Sequence, residues 1–65
     1  MTVPYTIGEV VDLKLLDSDW MKLWKHGLVA SFQVKDRGFM LVGRPVKLLQ
    51  RPSIRMRITA VSLVN

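Results

Sequence analysis

The chain contains no cysteine and a single histidine, His26. Disulfides are therefore excluded, and so is a metal centre built from clustered His and Cys ligands. No apolar run approaches the roughly 18 residues that a membrane-spanning helix needs. The start of the sequence lacks the basic region, apolar stretch and small-residue cleavage site of a secretory signal. Cytoplasmic residence without a membrane partner is the expectation. Acidic residues are scarce, five against ten Lys and Arg, and none follows Asp36. Neither a usable His or Cys nor an acid pair stands beside a Lys and Ser, so no catalytic residue, cofactor or metal is expected. Repeats, linkers and low-complexity segments are also missing, and 65 residues make one domain, 1–65.

Apolar residues make up 49% of the chain, enough for a core in a domain that buries only about 60% of its unfolded surface. The charge is unevenly placed. Residues 1–26 set Lys14, Lys22 and Lys25 against Glu9, Asp12, Asp17 and Asp19, a net of −1. Residues 27–65 set Lys35, Arg37, Arg44, Lys47, Arg51, Arg55 and Arg57 against Asp36, a net of +6. A one-sided positive surface in so small a domain points to a polyanionic partner.

The pattern reads as strand, helix, then strands. Val11, Leu13 and Leu15 alternate with Asp12 and Lys14, the period of a half-buried strand over 11–15. Asp17 or Ser18 is the expected N-cap of a helix over 18–26, with Asp19 in its first turn. Trp20, Leu23 and Trp24 make one apolar stripe, so both tryptophans are read as core anchors rather than base-stacking platforms. His26 lies in the last turn, a favourable charge near the helix dipole, and Gly27 supplies the C-terminal stop. Ala30 to Lys35 alternate as a second strand, and Asp36-Arg37-Gly38 is a turn that asks for a positive φ. Phe39 to Val42 forms a third strand, interrupted by Gly43-Arg44-Pro45, and Val46 to Leu49 a fourth. The longest strand spans 53–63, with its alternation loosened around Val61 by a bulge or by burial on both faces. The fold class expected is α+β: a strongly curved sheet or barrel of four or five strands, with one short helix plugging an opening.

Asp12-Leu13-Lys14-Leu15-Leu16, an aromatic helix ending in glycine, Asp36-Arg37-Gly38-Phe39, Val42-Gly43, Val46-Lys47-Leu48 and Arg57-Ile58-Thr59-x-Val61 follow one another in this order. Over residues 11–61 this order resembles the ASCH domains of the PUA-like superfamily, in their small phage and bacterial form. The resemblance implies a small β-barrel with helices and an association with RNA. Some members hydrolyse modified nucleosides through a lysine, a threonine and a glutamate; those positions have no counterpart after Gly27, and no enzyme is expected. A second resemblance runs through Tyr5 to Val11, the helix and the hairpin at Arg37-Gly38, and is to excisionase-like winged-helix DNA binders. It requires a first helix capped by Thr6.

The leading expectation is a non-catalytic nucleic-acid-binding module, RNA before DNA. Its candidate contacts are Arg44, Lys47, Arg51, Arg55 and Arg57, flanked by Lys35 and Arg37. Arg55 and Arg57 stand two apart on one strand, opposite in direction to Ile54, Met56 and Ile58, and Lys47 shares that outward placement. A solvated face explains such residues without any ligand; their number in one place favours phosphate binding. The competing expectation is a small phage- or plasmid-type protein that modulates a host protein, docking its basic face on an acidic protein surface. A homodimer is left open.

Overall fold

The computed structural model describes residues 2–28 and 30–64. Strand β1 is Val10–Lys14, helix α1 Asp17–His26, β2 Phe32–Asp36, β3 Phe39–Leu48 and β4 Ser53–Leu63. The strands form one antiparallel sheet in the order β1-β4-β3-β2, so the class is α+β. The sheet does not close into a barrel. The chain leaves β1 at Lys14 to enter α1, and β2 begins only at Phe32; these two five-residue strands remain as unpaired edges.

The winged-helix expectation fails on the same observations. Residues 5–9 hold a turn in which the Glu9 N–H donates to the Thr6 carbonyl, where that fold needs a helix. Among the described residues α1 is the one α-helix.

Period-two alternation decides the core. Leu13 on β1, Val34 on β2, Phe39 and Leu41 on β3, and Ile54, Met56 and Ile58 on β4 all point to one face and are buried. Leu15 and Tyr5 join them, and Tyr5 meets Phe39 edge-to-face at 5.8 Å between ring centroids. Strand β4 spans the expected 53–63, because its alternation runs longest and it is paired on both sides.

Three local departures have physical reasons. Gly43-Arg44-Pro45 does not interrupt β3, which runs unbroken through it. β2 ends its pairing at Phe32 opposite Gly43, so the prolyl nitrogen of Pro45, which faces that side, has no ladder bond to lose. The register irregularity on β4 falls at Thr59, between the pairs Val42–Ala60 and Gly43–Ile58, rather than at Val61. The N-cap of α1 is Leu16, with no side-chain cap bond; Asp17 is the first helical residue and its carboxylate receives both Nε and Nη2 of Arg51.

The tryptophans separate. Trp20 lies partly buried against the core and its Nε1 donates to the Ser53 carbonyl at 3.0 Å. Trp24 is 60% exposed and is not a core anchor. At about 100° per residue, Trp24 lies about 40° past Trp20 and about 100° from Leu23, too far round to reach a narrow sheet. Trp24→Ala is therefore expected to shift stability by no more than about 0.5 kcal/mol. Trp20→Ala should cost about 2 kcal/mol, less than the 3–5 of a fully buried ring. Thermal melts of the two variants check this; equal losses would return Trp24 to the core.

Candidate nucleic-acid interface

The helix and the buried side chains occupy one face of the sheet. The other face carries the residues that alternate with the core: Asp12 on β1, Arg55 and Arg57 on β4, Arg44 and Lys47 on β3. The register sets them in two rows. Arg57 stands opposite Val10 and Arg44; Arg55 stands opposite Asp12 and Lys47. One rung thus pairs arginine with arginine, and the next pairs arginine with lysine. The shift at Val46 is what brings Lys47, rather than its neighbour, onto this face.

Like charges directly opposite each other on a sheet are destabilising, and two adjacent rungs of them concentrate that cost in one place. The protein offsets part of it. Arg55 donates Nε to Asp12 Oδ1 at 2.8 Å and Nη2 to Oδ2 at 3.3 Å. That hydrogen bond, chiefly, holds the Asp12 carboxyl below its usual range and raises the Arg55 guanidinium, so both stay ionised. Arg57 donates Nη1 to the Gly8 carbonyl at 2.7 Å, which steadies its side chain without neutralising it. Arg44 and Lys47 are exposed and, among the described residues, enter no salt bridge or side-chain hydrogen bond. Four cations share this patch with one carboxylate.

The other expected contacts lie elsewhere. Arg51 sits in the β3–β4 loop, where it grips Asp17 and places its guanidinium carbon 5.6 Å from the Trp20 ring centroid. Arg37 occupies the β2–β3 turn, where both turn residues take positive φ, 51° at Arg37 and 83° at Gly38. Its Nε donates to the Tyr5 hydroxyl, which in turn donates to Asp36. Burial and the bond to Asp36 push the Tyr5 hydroxyl above its ordinary pKa. Arg37 and Arg51 are thus engaged in pinning the N-terminal segment and α1 to the sheet. Lys35 does share the outer face, opposite Met40, but Met40 and Arg44 stand four positions apart on β3, roughly 13 Å.

Sequence reasoning missed Asp12 as the counter-ion of Arg55. The signal was present, since Asp12 alternates outward with Lys14, but cross-strand register cannot be read from one strand. The patch holds no aromatic ring; its apolar neighbours are Val10, Val42, Val46 and Ala60. It can hold oxyanions by charge and by guanidinium hydrogen bonds, and it offers a base no aromatic ring to stack on. No protein-family model, no curated protein and no solved structure matches this chain.

Proposed function

We propose that this protein is a non-catalytic nucleic-acid-binding module that holds phosphates on the outer face of its sheet, RNA ahead of DNA. The observation that carries the reading is the pair of like-charge rungs, Arg44–Arg57 and Lys47–Arg55, on an uncovered face. Their mutual repulsion is relieved when anions lie across them. Two residues along a strand span about 6.6 Å, comparable to the separation of neighbouring phosphates on one nucleic-acid strand. The preference for RNA rests on the resemblance to ASCH domains. Without a stacking ring, recognition is of the backbone and tolerant of sequence.

Fluorescence anisotropy against single- and double-stranded RNA and DNA, across a salt series, tests this. Two to four phosphate contacts give a fall of log affinity with log salt of about 1.4 to 3.6, from 0.7–0.9 per contact. Absence of binding to all four at low salt would remove the proposal.

A further inference from the structure

The two unpaired edges of the sheet face a common hollow. One cavity of about 530 Å³ is walled on one side by Lys14, Leu15 and Leu16 and on the other by Gln33, Val34 and Lys35. A second, of about 280 Å³, continues it past Lys22 and Phe32, sharing Leu15, Asp19 and Gln33. The strands lining this slit have backbone groups to spare. On β1, the Leu15 N–H bonds Pro52 and the Glu9 carbonyl bonds Ile58, so the odd-numbered residues face β4 and Lys14 turns its N–H and C=O outward. On β2, the two-residue turn Arg37–Gly38 makes Asp36–Phe39 the first hydrogen-bonded pair, and alternation then leaves Gln33 and Lys35 with outward N–H and C=O groups.

We infer that this slit receives an extended acidic peptide segment, which adds as a fifth strand along β2. The backbone of Gln33 and Lys35 supplies the ladder bonds, as in other strand-addition sites. The 72%-exposed Leu16 and the half-buried Met40 supply apolar contact for its side chains, over a floor formed by the core residues Leu15 and Val34. The charge selects the occupant. Lys14 and Lys35 stand on opposite lips and Lys22 on the continuation, against Asp19 alone. A second copy of this chain fits poorly, since each of its own edges presents a lysine and its net charge is +5. The site is separate from the Arg44–Arg57 patch and does not depend on nucleic-acid binding.

The probe is a fluorescein-labelled seven-residue peptide alternating glutamate and valine, beside its lysine–valine counterpart. The acidic peptide is expected to bind, to slow amide exchange at Gln33 and Lys35 at least ten-fold, and to outcompete the basic one at least ten-fold. Gln33→Pro removes an outward N–H at an edge position where proline is tolerated, and is expected to abolish binding with an unchanged circular-dichroism spectrum. Lys35→Glu, which leaves the backbone intact, is expected to weaken binding at least five-fold. The Arg44→Glu, Lys47→Glu double variant is expected to bind the peptide as wild type does. No binding of the acidic peptide, binding without protection at Gln33 and Lys35, or equal binding of the basic peptide would each overturn the inference. Protection that grows with protein concentration in the absence of peptide would overturn it in favour of a second copy.

Discussion

Reversing Arg44 and Lys47 together, as Arg44→Glu and Lys47→Glu, is expected to stabilise the fold while weakening nucleic-acid binding. Neither side chain forms a salt bridge or side-chain hydrogen bond among the described residues, and both are exposed, so no packing is lost. Each new glutamate faces an arginine across β3–β4, converting a repulsive rung into an attractive one. Opposite-charge cross-strand pairs contribute roughly 0.2–1 kcal/mol each. In a domain of this size about 1 kcal/mol raises the melting temperature by some 4–8 °C. Binding moves the other way: losing two phosphate contacts lowers the salt slope by about 1.4 to 1.8 units. A merely solvated face predicts the stabilisation without any change in affinity. The opposed signs separate a patch kept for a ligand from one with no use, and differential scanning fluorimetry beside anisotropy reads both.

That patch was legible in the sequence as far as strand alternation reaches. Arg55 and Arg57 had to share a side because they stand two positions apart, and Ile54, Met56 and Ile58 had to take the other. The limits of β4, the turn at Arg37–Gly38 and the glycine stop of α1 were legible for the same local reasons. Pairing was not. That Arg44 meets Arg57, that Asp12 meets Arg55 and that Pro45 falls where β2 has ended are facts of register, and bulges at Val46 and Thr59 set that register.

Composition also does not show how the cations are grouped. Arg37 and Arg51 counted equally with the other cations in the charge of the second half of the chain. The fold engages them locally, one over Tyr5 at 5.1 Å and one over Trp20 at 5.6 Å. A guanidinium beside an aromatic ring and a carboxylate fastens two parts of the fold together, a role that a count of charges does not reveal. The five-residue edges made the same kind of difference at the scale of the fold. Curvature was expected from strand number, but closure depends on whether the first and last strands in the sheet are long enough to meet.

Gly43→Ala is expected to cost more than any surface change in this chain. A Cβ at that position would overlap the terminal methyl of Met56 and the carbonyl of Arg57. The methyl can swing aside; the carbonyl belongs to the β3–β4 ladder and cannot move without shifting the strand. Overpacking of this kind costs about 1–3 kcal/mol, a large share of the roughly 3–5 kcal/mol available to so small a core. Chemical denaturation of Gly43→Ala beside wild type measures the loss, and a cost below about 0.5 kcal/mol would show that the strand yields to the added methyl without strain. If the carbonyl is the obstruction, what shifts is the backbone under Arg57, next to Arg44 on the outer face. Gly43→Ala protein that remains folded should then also bind nucleic acid more weakly than wild type, although Gly43 itself lies on the buried side.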